Sequence, residues 1–223
     1  MQNQCGAKMT DKSQHVLLYL KQNYSNAKCA LHFSNDYECL VAILLSAQTT
    51  DKSVNKVTPL LFSHFPGSSE LSKAEIATIE NDIKSLGLYR NKAKSLQKLG
   101  QYIDICCNGK VPHDEERLLK APGVGVKTAR VFLLERTDKS FLPVDTHINR
   151  IALRLGYARE GDSPLKIEQK LENNFPKEEW RFLHHAFIEF GRAECLAKNP
   201  RCRTCNLSGF CRFYKKYFST IGK

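Results

Sequence analysis

The sequence predicts an all-α protein, on three observations. Apolar residues recur three or four positions apart along almost the whole chain, which is the helical period. No run of alternating apolar and polar residues is bounded by hairpin turns, and capping residues and glycine stops recur at helix-length intervals. With 223 residues, the chain is long enough for one large or two small domains without a metal or disulfides to hold them.

The first half of the chain contains five predicted helices. The first is amphipathic, whereas the second is apolar on nearly every side, which indicates a helix at a domain centre. Asp36 and Asp51 are candidate N-caps of the second and third helices. The Pro66-Gly67 pair ends the third helix, and Gly87 stops the fourth. The five helices cover about residues 13–23, 37–46, 51–65, 72–86 and 91–107.

The second half begins with a short helix that leads into a glycine turn, and a further helix follows the turn at once. Asp145 opens the next helix, and Ser163-Pro164 supplies both an N-cap and a proline at the first helical position. The helices of this half cover about 114–120, 126–135, 145–155, a segment from 164, and 177–189.

The charge of the chain favours a polyanionic partner. The formal net charge is +11, and in residues 192–223 basic side chains outnumber acidic ones eight to one. No apolar run reaches the roughly 18 to 20 residues of a membrane span, and the first 12 residues lack the apolar core of a signal peptide. We therefore expect a cytoplasmic protein with no membrane partner.

Four of the nine cysteines, Cys195, Cys202, Cys205 and Cys211, follow the pattern C-x6-C-x2-C-x5-C. Structural zinc usually takes two short-spaced pairs a dozen or more residues apart, so this compact pattern favours an iron-sulfur cluster, with zinc or no metal as alternatives. Lys198 and Arg201 lie between the first two ligands, where the cluster would fix two cations at a phosphate-facing surface. No function is assigned to the other five, Cys5, Cys29, Cys39, Cys106 and Cys107.

The segment LLKAPGVGVKTA, residues 118–129, is typical of a helix-hairpin-helix. Gly123 and Gly125 allow positive φ and a close approach of another backbone. The N–H groups of the turn and of the following helix could then bind a phosphate without any side chain and without reading sequence. An ordinary glycine-containing helical hairpin is the alternative.

Lys127 and Asp145 are the candidate reactive side chains. Lysine is almost fully protonated at neutral pH, so a nucleophilic amine at Lys127 needs burial, the positive end of its helix, and a carboxylate that accepts its proton. Asp145, in the segment PVDTH, is the candidate acceptor. The alternatives are a solvated or phosphate-binding lysine and a plain N-cap.

The cysteine tetrad, the turn PGVGxKTA, the segment VDTH and the segment LLSAQTTD at residues 44–51 together identify a resemblance. From about Asp36 to Cys211 the chain resembles the endonuclease III family, helix-hairpin-helix DNA glycosylases that carry a 4Fe-4S cluster. The resemblance implies removal of oxidised pyrimidines from duplex DNA, followed by strand cleavage at the abasic site. It makes Lys127 the nucleophile that forms an imine and Asp145 the catalytic carboxylate.

By the same resemblance, Gln48 enters the space that the extruded nucleotide leaves, and Leu88 is a wedge against the other strand. From the residues alone, Gln48 could instead cap a helix or face water, and Leu88, just past a helix stop, is typical of the core. The implied architecture is two helical lobes with a DNA-binding cleft between them. A six-helix lobe spans residues 30–138, and the cluster-bearing lobe combines residues 1–29 and 139–223.

The expected partner is double-stranded DNA that contains damaged pyrimidines or abasic sites, bound by a nucleoid-associated monomer. Two other functions stay open at this point. One is a monofunctional mismatch glycosylase of the same superfamily, although such a relative lacks the lysine at position 127. The other is a non-enzymatic DNA-binding module that uses the hairpin and the basic tail.

Overall fold

The computed structural model describes residues 9–218, which form helices and turns and contain no strand. The prediction of an all-α protein is therefore confirmed. The described residues divide into two compact units, one that runs from Cys29 to Lys139 and one that joins the chain up to Lys28 with the chain from Ser140 on. Cys5 and the two ends of the predicted cluster-bearing lobe lie outside the described residues. Within them, no helix has the length and apolar character needed to cross a bilayer.

The continuous unit is built around α2, in which eight of ten residues are buried. This helix packs against α3, α6 and α8, so the prediction of a central apolar helix is correct. The unit contains α2 (Asp36–Leu45), α3 (Asp51–His64), α4 (Ser68–Lys73), α5 (Ile76–Ile83), α6 (Tyr89–Gln101), α7 (Glu115–Leu119) and α8 (Val126–Arg136).

Two predicted N-caps are wrong by one residue. The Asn35 side chain accepts a hydrogen bond from Glu38 N and caps α2, while Asp36 lies in the first turn. Thr50 caps α3 in the same way through Ser53 N. Displaced from the cap, Asp36 accepts hydrogen bonds from Arg136 (2.5 Å) and His113 (2.6 Å). It thereby joins the start of α2 to the end of α8.

The single helix predicted over 72–86 is also wrong, since α4 ends at Lys73 and α5 begins at Ile76. At the break, the backbone of Ala74 is extended and its carbonyl accepts a hydrogen bond from the Gln97 side chain of α6 (2.7 Å), and α4 packs closely on α6 at Gly100. A Cβ at Gly100 would lie 2.8 Å from Ser72 N and 3.0 Å from the Leu71 carbonyl carbon, so only glycine permits this approach. Beyond Gln101, α6 continues as a π-helical turn, Tyr102–Cys106.

The discontinuous unit contains α1 (Asp11–Asn23), α9 (Thr146–Leu155), α10 (Pro164–Glu172), α11 (Trp180–Ala193) and α12 (Arg212–Tyr217), with short 3₁₀ turns at Lys177–Glu179 and Ser208–Phe210. Its core is formed mainly by α1, α9 and α11. Tyr19 and Tyr24 both donate hydrogen bonds to Glu194, at 2.7 and 2.5 Å. These bonds tie the first helix to the residue before the first cysteine of the tetrad.

Candidate functional site

The glycine turn between α7 and α8 lies against the centre of its unit. Gly123 has φ +81°, a left-handed conformation that favours glycine. A Cβ at this position would meet Leu44 and Ser95, each at 3.2 Å. The turn closes through a hydrogen bond from Val124 N to Ala121 O. Gly123 is therefore required by the fold of the turn itself.

Gly125 differs from the prediction, because its φ of −93° is open to any residue and its missing Cβ would face open space. Gly125 is the N-cap of α8, and no side chain caps that helix. The first N–H groups of α8 therefore lack an intrahelical partner and point toward an exposed surface. This arrangement is suited to binding a phosphate.

Lys127 lies in the first turn of α8, two residues after Gly125. Its side chain is exposed and has neither an ion pair nor a hydrogen bond among the described residues. The burial expected of a nucleophilic amine is thus absent from the free protein.

Gln48 and Leu88 share an uncommon backbone conformation. Both are left-handed, at φ 54° and 58°. Outside glycine, the described residues contain only two other left-handed positions, and both are asparagines, which tolerate this conformation best. The interpretation of Leu88 as core is wrong, because the side chain is 57% exposed. Gln48 is exposed as well, between α2 and α3.

Asp145 lies in the other unit and caps α9, where its Oδ1 accepts a hydrogen bond from Ile148 N at 2.8 Å. The carboxylate is half-buried and has no ion pair among the described side chains. Burial and the positive charge of Arg150 lower the pKa of the neighbouring His147, although the negative charge of Asp145 acts to raise it.

Cys195, Cys202, Cys205 and Cys211 line a single cavity that is partly open to solvent. Burial raises the pKa of the Cys205 thiol to about 11 and also raises the pKa of Cys202 and Cys211. Metal ligands are thiolates, so a metal that binds here must displace these protons.

Arg154 organises the first loop of the tetrad. Its guanidinium donates to the sulfur of Cys195 (3.3 Å) and to the carbonyls of Leu196 (2.7 Å) and Ala197 (3.1 Å), and it stacks on the Phe213 ring. Donors at the sulfurs and an apolar wall are features of a cluster site. Within residues 9–218, no three His, Cys, Asp or Glu side chains are close enough to share one metal ion.

Lys198 and Arg201 are exposed on the loop that Arg154 holds, and neither forms a salt bridge among the described residues. Arg203, between the second and third cysteines, is equally exposed and was not singled out from the sequence.

Sequence reasoning also missed Lys92, a buried lysine of α6. No pattern could have found it, because lysine at helical spacing normally indicates a solvated face.

Comparison with known proteins identifies the family. Residues 41–177 match the family model described as HhH-GPD superfamily base excision DNA repair protein. Endonuclease III of Bacillus subtilis (strain 168) is 44% identical over 189 residues, which are 85% of this chain and 86% of the relative. The chain belongs to the endonuclease III family. Endonuclease III of Escherichia coli (strain K12) is 36% identical over 205 residues, 92% of this chain and 97% of the relative.

Solved structures agree with this assignment to the endonuclease III family. A trapped endonuclease III–DNA covalent intermediate, the estranged-adenine complex, is 42% identical and has a TM-score of 0.88, with 93% of this chain and 99% of that chain covered. A thermostable thymine-DNA glycosylase at 22% identity, with a TM-score of 0.81 over 92% and 97% of the two chains, shares the fold. The chain is a base-excision DNA glycosylase and abasic-site lyase.

Proposed function

We propose that this enzyme removes oxidised pyrimidines from duplex DNA and cleaves the strand at the resulting abasic site through an imine at Lys127. The observation that carries the proposal is the position of Lys127. Its exposed side chain lies in the first turn of α8, directly after a glycine turn, and no side chain caps the N–H groups of this helix. A phosphate bound at that helix end would place the adjacent deoxyribose next to the amine.

In the proposed reaction, the neutral amine of Lys127 attacks the anomeric carbon of the extruded nucleotide. The bond from that carbon to the base breaks, and the base leaves with the bonding electrons and takes up a proton. The sugar ring opens to an imine, a proton is lost from the adjacent sugar carbon, and the 3′ phosphate is eliminated. The strand is thereby cleaved on the 3′ side.

Asp145 supplies the carboxylate for this chemistry. One oxygen is fixed by the Ile148 N–H, and the other has no hydrogen bond among the described residues. A carboxylate held by its helix and without an ion pair among the described residues can accept the lysine proton or stabilise positive charge on the sugar. Lys127 belongs to the continuous unit and Asp145 to the discontinuous unit.

Gln48 and Leu88 serve the extrusion step. Chemistry at the anomeric carbon requires the nucleotide to leave the stack, which costs a few kcal/mol and less for a damaged base. Two exposed side chains on strained backbone can fill the vacated space and separate the opposite strand.

The test uses a duplex with one thymine glycol, an oxidised pyrimidine, and measures base release and strand cleavage separately. Lys127→Ala should lose both, while Lys120→Ala, an exposed cation just before the turn, should lose neither. Asp145→Asn should bind the duplex but release little base. Asparagine is as good an N-cap as aspartate, so this variant removes the charge and leaves α9 capped.

The same assay decides among the three functions. Base release without strand cleavage by the unmodified enzyme would indicate the monofunctional glycosylase. Binding without release would indicate the DNA-binding module. Release by Lys127→Ala at the unmodified rate would reject the lysine mechanism. We expect the enzyme to act as a monomer on double-stranded DNA.

The cofactor of the proposed enzyme is a 4Fe-4S cluster on Cys195, Cys202, Cys205 and Cys211. When bound, it would fix the tail and present Lys198 and Arg201 to the DNA backbone. A protein that holds an iron-sulfur cluster is brown. Cys202→Ser should therefore yield protein that lacks this colour and unfolds at a lower temperature. Cys106→Ser, at an exposed cysteine of the other unit, should retain both properties. A colourless unmodified protein, or a Cys202→Ser protein that keeps the colour, would contradict the assignment.

A further inference from the structure

Lys92 is a buried cation that no carboxylate pairs within the described part of the chain. The side chain is only 6% exposed, and burial lowers its pKa. Its ammonium donates to the carbonyl of Leu45 (2.9 Å) and to the hydroxyl of Thr49. A buried charge without a counter-charge is costly, so a position that keeps one needs a reason.

The two acceptors of Lys92 flank Gln48. Leu45 is the last residue of α2, where carbonyls lack helical partners and a cation is favourable. Thr49 directly follows Gln48. The ammonium therefore binds the loop 45–49 on both sides of Gln48, the residue expected to enter the DNA.

Lys92 also belongs to the segment that carries Leu88. It lies in the first turn of α6, and its backbone N–H donates to the carbonyl of Leu88 at 3.0 Å. One residue is thus bonded to Leu88 through its main chain and to the Gln48 loop through its side chain.

Both of these residues need such support. Left-handed backbone at non-glycine residues persists only where the surrounding structure enforces it. The Gln48 side chain has no hydrogen bond among the described residues, and no side chain caps α6 at Leu88. The hydrogen bonds of Lys92 connect these two strained segments.

We propose that Lys92 is a positioning residue that fixes Gln48 and Leu88 relative to each other, so that both enter the duplex together as a nucleotide is extruded. This inference rests on the proposed function. Loss of Lys92 should therefore slow base release most on substrates whose damaged nucleotide is hardest to extrude. It should leave the chemistry at the sugar unchanged.

The test compares Lys92→Met with Lys98→Met, an exposed lysine near the end of the same helix. Both are assayed on thymine glycol in a fully paired duplex and in a single-nucleotide bulge, where the base is already unpaired. Lys92→Met should lower kcat/KM about tenfold or more on the paired duplex and less than about threefold on the bulge. Lys98→Met should change neither value. Equal losses on both substrates, or no loss on the paired duplex, would overturn the proposal.

Two further variants keep the test decisive if Lys92→Met folds poorly. Thr49→Val removes one acceptor at nearly constant volume and should lower kcat/KM on the paired duplex only. Adding Gln48→Ala to Thr49→Val should cost much less than the two separate losses combined, because both act on one step. If the unmodified enzyme releases no base from either substrate, the proposed function fails. If it is active and the Thr49→Val losses are equal on both substrates, only the role of Lys92 fails.

Discussion

Gln48 and Leu88 have a left-handed backbone conformation that could not be predicted from the sequence. The types and spacing of Lys127, Asp145 and the four cysteines are visible in the sequence, and the motifs around them were sufficient to predict the family. A left-handed φ at glutamine or leucine has no such signal, since neither residue favours that conformation. The same holds for exposure, because a leucine after a helix stop is usually buried.

Substitution of the two glycines of the hairpin should have different effects on the free energy of unfolding. Gly123→Ala should lower the free energy of unfolding by about 1–2 kcal/mol, because alanine is strained at positive φ and its Cβ would press on Leu44 and Ser95. Gly125→Ala should change it by less than about 0.5 kcal/mol, because its φ and its surroundings accept a Cβ. Urea unfolding of both variants measures this difference.

DNA affinity separates the two glycines further. In Gly125→Ala a methyl group is added beside the free N–H groups of α8, so binding of duplex DNA should weaken although the protein stays stable. Unchanged affinity in Gly125→Ala would show that phosphate does not approach the turn on this side.

At the level of elements, helical periodicity located most helices to within about two residues, and their ends were harder. Asn35 and Asp36 are both good caps, as are Thr50 and Asp51, and only the path of the incoming chain selects between them. At the break between α4 and α5, the Ala74 carbonyl accepts a hydrogen bond from the Gln97 side chain of α6, a contact between segments that are distant in sequence.

The Asp36 bridge between α2 and α8 predicts a pH dependence. Burial alone would raise the pKa of Asp36, but the hydrogen bonds and charges of Arg136 and His113 outweigh it, so the pKa lies below its usual value. A lowered pKa in the folded state stabilises the protein above the unfolded pKa of about 3.9, and this contribution is lost as the pH falls through the folded value.

Asp36→Asn should therefore lower the free energy of unfolding at pH 7 by about 1 kcal/mol, a modest value because the carboxylate is 32% exposed. The difference from the unmodified protein should shrink steadily below about pH 4, where the carboxylate of the unmodified protein takes up its proton. Glu160→Gln, at an exposed carboxylate that has no ion pair among the described residues, is the control. Urea unfolding at several pH values that gave a constant difference would contradict the bridge.

For the whole molecule, the positive charge of the chain determines how tightly and how generally it binds DNA. The net charge of +11 and the basic C-terminal segment were evident from composition, but which cations are free was not. Arg154 is occupied with the cysteine loop, and Arg130 with Glu115, whereas Lys198 and Arg201 are exposed without ion pairs within residues 9–218. Only the folded chain distinguishes structural from available cations.

Lys198→Glu and Arg201→Glu should each weaken binding to damaged and undamaged duplexes alike. Each should also reduce the slope of log affinity against log salt by about 1, since each removes one phosphate contact. Lys177→Glu makes the same change of charge at another exposed site of this unit and should leave the slope nearly unchanged. An equal change of slope in all three variants would indicate a general charge effect and no contact by the cysteine loop.

The lysine mechanism requires that the amine of Lys127 form a covalent bond with the sugar. Borohydride reduces an imine to a stable amine, so treatment of the enzyme with abasic duplex DNA and borohydride, followed by peptide mapping, detects this bond. We expect a single protein–DNA adduct on the peptide that contains Lys127, absent from Lys127→Ala and present in Lys120→Ala. An adduct on another residue, or strand cleavage by the enzyme without any trapped adduct, would contradict it.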